Sequence, residues 1–578
     1  MAKYKPIPYG LANYKRIREE NYYYVDKTRY LPQLEESGNF LFLIRPRRFG
    51  KSSLLTVLEC YYDLARTAEF ELLFKGTYIY DHPTPEKNAY LILKFNFSQV
   101  NPAMERVRES FKGHVDNCLF FFGKKYRQLL GDDYFEMMAK YTEPHHKLKF
   151  ALDYIGAIGH QVYVLVDEYD NFANTILSSI GQAAYHELTH GAGFLRFFFN
   201  MLKGAVDQVD SGIARMFITG VSPVTLDDVT SGFNIGQNIS LHPAFNGLLG
   251  FTEADVKQFL TYYRDQAGLA VTDLDADIAL LNEWCGNYRF SNLAPDTLFN
   301  TDMVLYLVNN LLQLGQYPAN MIDQNVRVDY SKLRQLIVID RRPNGNFSYL
   351  RQIIQEQQTE LVQVVDSFPV ERLTKPSNFI SLLFYFGLLS YNAQGRLGIP
   401  NQTVKQLLYS YLREGYEDVE VFNVDLLHFA GLMRRLAYQG EWQPVFQFLA
   451  AEVEKQTAIR DYLTGEKVIQ TFLLAYLNIT DYYLIRTEEE LAEGFVDLYL
   501  GPFWAKYQDL PYSYLIELKY ISRHQFTPEL LQQQLTAAAR QLQQYARDPV
   551  VIKRSKTTQL ISAALVFSGW ELKGMQQF

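Results

Sequence analysis

Arg45-Pro46-Arg47-Arg48-Phe49-Gly50-Lys51-Ser52 decides the fold of the N-terminal half of this chain. Ahead of it, Phe40-Leu41-Phe42-Leu43-Ile44 is a continuous apolar run, the pattern of a strand buried on both faces. Behind it, Lys51-Ser52-Ser53-Leu54-Leu55 opens a helical pattern. A strand, a tight turn and a helix N-terminus present backbone N–H groups and the helix dipole to an anion. The stretch therefore predicts a phosphate-binding loop for ATP formed by Arg47, Arg48, Phe49, Gly50, Lys51, Ser52 and Ser53. Lys51 is expected to reach the β- and γ-phosphates, and Ser52 to ligate Mg²⁺. The match to G-x-x-x-x-G-K-[ST] fails at its first position, where Arg45 stands in place of glycine.

A Gly-Lys-Ser triplet is common, so the loop needs a second witness. Val162-Tyr163-Val164-Leu165-Val166-Asp167-Glu168 is an apolar strand ending in two acids. Asp167 suits the Mg²⁺ shell and Glu168 the polarisation of an attacking water. A third run, Arg215-Met216-Phe217-Ile218-Thr219-Gly220, ends in a hydroxyl suited to sensing the γ-phosphate. Strands expected at 40–44, 90–97, 162–166 and 215–219 alternate with helical stretches, which predicts a parallel α/β sheet. All these polar residues fall at carboxyl ends of strands, where such sheets bind ligands.

Working outward to the C-terminus, Tyr514-Leu515-Ile516-Glu517-Leu518-Lys519 is the other informative stretch. In a strand, Glu517 and Lys519 project to one face while Ile516 and Leu518 pack on the other. Asp497, in the strand-like run 495–500, joins them if the two strands pair. Two carboxylates would hold Mg²⁺, with Mn²⁺ as an alternative, and Lys519 would orient water beside them. Glu466 is an additional candidate ligand from a preceding helix. In the helical stretch 528–546, Leu531, Leu535, Ala538, Leu542 and Tyr545 form an apolar face, with Gln541 and Tyr545 one turn apart. Residues 519–556 carry seven Lys/Arg against two acids, a local basic excess where a phosphate backbone would want it.

Tyr22-Tyr23-Tyr24-Val25-Asp26-Lys27-Thr28, RPRRFGKSS, VDEYDNF and ITGVSPVTLDDVTSGFNI resemble the bacterial AAA-ATPase-like family. The resemblance covers most of the chain, and Arg45 in the loop is similar to that family's own pattern. It implies a helical lid after the ATPase core and a C-terminal PD-(D/E)XK nuclease domain; Arg289 lies in a stretch similar to a family motif and would reach the nucleotide from the lid, with an exposed surface arginine as the more ordinary reading. The order helix–strand–strand–strand–helix–strand over the last 130 residues is similar to that nuclease core, and Gln541 and Tyr545 resemble residues such nucleases place beside the site. The expected fold is α/β and multidomain: an ATPase core at 1–245, a lid at 246–345, a helical, winged-helix-like unit at 346–445 and the nuclease-like domain at 446–578. The expected function is ATP-regulated, Mg²⁺-dependent cleavage of DNA or RNA. The alternative is an ATPase switch whose nuclease-like domain only binds nucleic acid or a protein partner; homo-oligomers are compatible with either.

His186-Glu187-Leu188-Thr189-His190 spells a zincin signature, and a zinc hydrolase is the remote alternative. Arg196 stands where a third metzincin ligand would fall, no downstream acid stands out as a replacement, and the segment lies inside the ATPase sheet. A helical structural role is therefore expected. The net charge of −8 argues against a protein that coats nucleic acid through its global field. Cys60, Cys118 and Cys285 are too few and too scattered for a disulfide framework or a zinc cluster. No apolar leader and no run approaching 18 apolar residues is visible, so a soluble, cytoplasmic protein without a membrane partner is expected.

Overall fold

Residues 4–578 are described by a computed structural model, except 192, 207–211, 225–235, 270–272, 327–337, 340–341, 344, 361–362, 374, 419–420, 488, 492–493 and 556. Residues 225–235 of the family-like stretch and Lys556 of the basic run therefore lie outside the described residues. The chain forms two compact units. One comprises Met1–Gly315, Asn320–Gln335 and Thr359–Val404; the other comprises Gln316–Ala319, Leu336–Gln358 and Lys405–Phe578.

In the first unit the apolar runs become β1 (Phe40–Ile44), β2 (Leu91–Asn96), β3 (Val162–Asp167) and β4 (Ile213–Gly220), with a short β5 (Gln237–Asn238). They form one sheet in the order β2-β3-β4-β1-β5, every pair parallel. Parallel pairing requires crossovers, and the connecting helices bury both faces, which is why β3 is buried along its whole length. β4 lies between β1 and β3, so the carboxyl end of β4 sits between the loop that follows β1 and the two acids.

The helix Lys51–Tyr62 starts directly after β1, with Gly50 at its N-cap at a left-handed φ of 98°. That conformation favours glycine. Further along, Glu253–Ala267, Leu274–Cys285 and Thr301–Leu314 are helical, the first opened by a capping box between Thr252 and Asp255. The helix Pro376–Tyr385 leads into an antiparallel hairpin, Ser390–Tyr391 with Leu397–Gly398, turning at Asn392–Gly395.

In the second unit, β6 (Tyr483–Arg486), β7 (Leu498–Pro502), β8 (Tyr512–Ile521), β9 (Gln559–Ser568) and β10 (Glu571–Gln577) form a mixed sheet in sequence order. Only β8 and β9 are parallel, and the helix Pro528–Tyr545 makes the crossover between them. Leu535, Ala538, Leu542 and Tyr545 of that helix are buried against Leu515 and Ile521 of β8 and Ala564 and Val566 of β9. Leu531 packs at the margin of this cluster. The helix Glu466–Leu477 precedes the sheet. β10 and a two-stranded hairpin, Glu489–Leu491 with Gly494–Val496, are additions to the expected order.

The run 495–500 is not one strand. It bends at Asp497, with Val496 ending the hairpin and Leu498 opening β7. At the bend the Asp497 carboxylate accepts the backbone N–H of Leu518 on β8 at 2.7 Å, a tertiary contact that takes the place of a continued ladder. Among the described residues, no helix is long and apolar enough to cross a membrane.

Candidate functional site

At the carboxyl edge of the first sheet, the loop after β1 wraps around Lys51. The Lys51 ammonium is buried and donates to the carbonyls of Arg45 (2.9 Å) and Pro46 (2.8 Å). Burial pulls its pKa down to about 8, against the opposing pull of Glu168 and Asp167. Arg48 has a left-handed φ of 70°, and its guanidinium donates to Asp302 at 2.9 Å, tying the loop to the N-terminus of the helix Thr301–Leu314. A polar cleft of about 530 Å³ opens here, lined by Arg47, Arg48, Gly50, Lys51, Ser52, Ser53 and Glu168 together with Pro8, Gly10, Leu11, Ala12 and Thr301. An apolar pocket of about 110 Å³ shares Leu11, Gly50, Ser53 and Thr301 with it and is lined by Tyr24, Val25, Leu249 and Phe251. Phe49 turns away from the polar cleft, with its ring edge-on to Tyr288 and Phe290.

Asp167 and Thr219 meet as the strand order requires: the Thr219 hydroxyl donates to the Asp167 carboxylate at 2.9 Å, both groups buried. Glu168 follows at φ 49°, an uncommon conformation for a residue with a Cβ. It turns the chain so that Glu168 lines the cleft, where Asn171 holds its carboxylate at 2.6 Å.

In the second unit, Glu517 and Lys519 share the face of β8 that lies toward the helix Pro528–Tyr545. Lys519 donates to Glu517 Oε1 at 2.7 Å. Glu517 is 2% exposed, and its Oε2 has no hydrogen-bond partner among the described residues. Burial and then the neighbouring Glu517 push the Asp497 carboxyl up to about 7. Glu517 is also raised, again chiefly by burial. Burial pulls on Lys519, but Glu517 and Asp497 outweigh it and hold the ammonium protonated. Glu466, in the first turn of its helix, adds its charge to both carboxylates. Tyr545 is buried beside the acids, raised by burial and by them, and bonded to Gln541. Two desolvated carboxylates with an orphaned oxygen fit a divalent cation, which would relieve their mutual repulsion.

Comparison with known families agrees with this geometry. Residues 8–230 match the AAA-ATPase-like family, described as predicted AAA-ATPases, and residues 464–577 match a PD-(D/E)XK nuclease superfamily model. This chain carries an AAA-ATPase-like domain and a C-terminal PD-(D/E)XK domain. It is also similar to an uncharacterized protein in the vnfD 5′ region of Azotobacter chroococcum mcd 1, 31% identical over 257 residues. That match spans 44% of either chain.

Within the AAA-ATPase-like domain, the arginine that replaces the first loop glycine is structural. Arg45 is buried, donates to the carbonyls of Ser240 and Phe245, and stacks on Phe290 at 4.3 Å. Burial lowers its pKa to about 9. Asp170, given no role from sequence, is buried and accepts the backbone N–H groups of Val221 (3.0 Å) and Ser222 (2.6 Å). It fixes the turn after Thr219, where a Cβ on Gly220 would meet Asp170 at 2.7 Å and the Tyr169 ring at 2.2 Å. The only signal for Asp170 was its place in VDEYDNF. Arg289 does not line the cleft; its guanidinium donates to the carbonyls of Pro295 and Asn392.

Glu371, which did not stand out in the sequence, approaches the His186/His190 pair. Glu371 lies 3.0 Å from His186 Nε2 and 3.8 Å from His190 Nε2. It is 181 positions downstream of His190, and tertiary folding alone brings it there. In the PD-(D/E)XK domain, sequence reading missed Gln470, a buried polar residue in an apolar run that donates to the Asp497 carbonyl at 2.8 Å. Of the local basic excess, Arg523, Arg540, Arg547 and Lys553 are exposed.

Proposed function

We propose that the AAA-ATPase-like domain binds and hydrolyses ATP and that its nucleotide state regulates Mg²⁺-dependent phosphodiester cleavage by the PD-(D/E)XK domain. The single observation that carries the cleavage reading is the buried, unpartnered Glu517 Oε2 beside Asp497 and Lys519. An unsatisfied buried acceptor costs about 1–3 kcal/mol, and a divalent cation bound by that oxygen and Asp497 would offset the cost.

In the first domain the polar cleft takes the phosphates and the adjoining apolar pocket takes the base. Lys51 balances the charge of the β- and γ-phosphates, Thr219 holds Asp167 in place, and Glu168 orients a water and accepts its proton. The water oxygen bonds to the γ-phosphorus as the bond to the ADP oxygen breaks. In the second domain Asp497 and Glu517, with Glu466 in reserve, hold the metal. Lys519 donates to the water or to the scissile phosphate, and Tyr545 and Gln541 close the site. The water oxygen bonds to phosphorus, and the departing sugar oxygen takes up a proton. Mg²⁺ bound at each site, through Ser52 and Asp167 in the first and the carboxylates in the second, would neutralise charge developing on phosphate oxygens. Exposed Arg540, Arg547 and Lys553 would meet the nucleic-acid backbone.

The test is incubation of the protein with single- and double-stranded DNA and RNA, with Mg²⁺ and with or without ATP. Cleavage is expected with Mg²⁺ and absent with chelator, and ATP or Lys51→Ala should change its rate by about 5–150-fold, the usual range of coupling between sites. Cleavage that persists in chelator refutes the metal site. Rates that agree within about twofold across these states mean that the two domains are merely tethered.

A further inference from the structure

We propose that His186, His190 and Glu371 form a Zn²⁺-binding site in the first unit, separate from the ATP cleft. The ligand atoms of these three residues all lie within 4.8 Å of one another. His186 sits in the helix Gln182–Thr189, His190 follows at its C-cap with extended backbone, and Glu371 comes from the short turn Val370–Arg372. The two imidazole rings are 4.1 Å apart.

Hydrogen bonding orients the His190 ring. The Thr189 hydroxyl donates to the Tyr185 carbonyl at 2.9 Å, so its single proton is used. Its contact with His190 Nδ1, also 2.9 Å, must therefore be one in which Nδ1–H donates to the hydroxyl oxygen. In the neutral ring this leaves the lone pair on Nε2, the nitrogen that faces Glu371. A divalent cation between this nitrogen and the carboxylate would accept a lone pair from each. Metal-ligating histidines commonly carry such a hydrogen bond on the other nitrogen, and it orients the ring.

The spacing suits zinc. Ligands about 2.0–2.1 Å from a tetrahedral Zn²⁺ stand about 3.3–3.4 Å from one another, and the 3.0 and 3.8 Å separations bracket that value. Two imidazoles and one carboxylate leave a fourth position for water or an anion. All three side chains are partly exposed, at 31%, 34% and 50%, which gives the ion a route in. An ion held here would pin the insertion between β3 and β4 to the turn at Glu371, two segments far apart in sequence.

The experiment is titration of the full chain with Zn²⁺, and with Co²⁺ as a spectroscopic stand-in, in excess Mg²⁺ and on an Asp497→Asn, Glu517→Gln background that silences the carboxylate site. One Zn²⁺ per chain with micromolar or tighter affinity is expected, together with visible Co²⁺ absorption of a nitrogen- and oxygen-ligated ion. His186→Ala and His190→Ala should each lose both signals. Thr189→Val should weaken affinity by about 10–100-fold, the cost of removing an outer-shell partner. Glu371 is half exposed, so Glu371→Gln should fold normally and still weaken binding and alter the Co²⁺ spectrum. Zinc uptake that is unchanged in His190→Ala and Glu371→Gln, or no uptake tighter than about 100 μM, overturns the proposal.

Discussion

At the two sites, burial displaces the ionisation of groups of opposite sign, a lysine in one and a pair of carboxylates in the other. In the first, a buried ammonium, Lys51, is held by backbone carbonyls and pulled down in pKa. In the second, two carboxylates are pressed together and pushed up. Buried charge without full compensation is costly, so it is kept where a ligand completes it. The ammonium suits a polyanion and the carboxylates suit a divalent cation. The supporting framework differs too. Lys51 opens the helix that follows a loop, whereas Glu517 and Lys519 are fixed by the pleat of β8, paired at those positions with β9.

Removing the charge in each unit should therefore have opposite consequences for ligand binding. The largest effect is expected for Glu517→Ala, which should reduce cleavage by roughly a thousandfold or more and weaken Mg²⁺ binding, while ATP turnover persists. Wild-type cleavage in this variant would remove the site. In the other unit, Lys51→Ala should lower ATP turnover by about 10²–10³-fold. Glu168→Gln should abolish hydrolysis yet retain ATP, seen as nucleotide that co-purifies or dissociates slowly. Equal turnover in all three proteins would break the nucleotide half of the comparison.

Arg45→Gly restores the usual loop residue but leaves the Ser240 and Phe245 carbonyls without their donor and empties the space against Phe290. It should destabilise the first unit by about 2–4 kcal/mol, read as a lower denaturant midpoint. An unchanged midpoint would make the arginine incidental. In the second unit Gln470→Ala frees the Asp497 carbonyl, and metal affinity or activity should fall by about 10–100-fold.

The smallest effect concerns pH. Metal binding must displace the proton that Asp497 holds up to about pH 7, so Mg²⁺ affinity should climb by about tenfold per pH unit below 7 and flatten above it. With divalent ions chelated, the sign for stability reverses. Both carboxyls are raised on folding, and for Asp497 the contribution is fully present below about pH 4 and is lost as pH rises through about 7. Asp497→Asn should flatten that decline in melting temperature. A slope unchanged by the substitution would assign it to other groups.

Much of the frame was legible because it depends on local periodicity. The apolar run before Arg45 could only be a buried strand, and an acid and a lysine two apart in a strand must share a face. The helix at 528–545 announced its buried stripe through the spacing of Leu535, Ala538, Leu542 and Tyr545. The bend at Asp497 was not legible, because it goes with a hydrogen bond to Leu518 on another strand. Nor were the roles of Arg45, Asp170 and Gln470, whose partners lie 27 to 200 positions away.

Sequence by itself determined the strand and helix patterns, the residue types at both sites and the face each one occupies within its element, since these follow from backbone geometry over a few residues. Tertiary structure alone decided the order β2-β3-β4-β1-β5 that brings Thr219 onto Asp167, the burial that displaces the ionisation of Lys51 and Asp497, and the meeting of Glu371 with His186 and His190. Those outcomes depend on which distant surfaces exclude water from one another, and no local pattern encodes that.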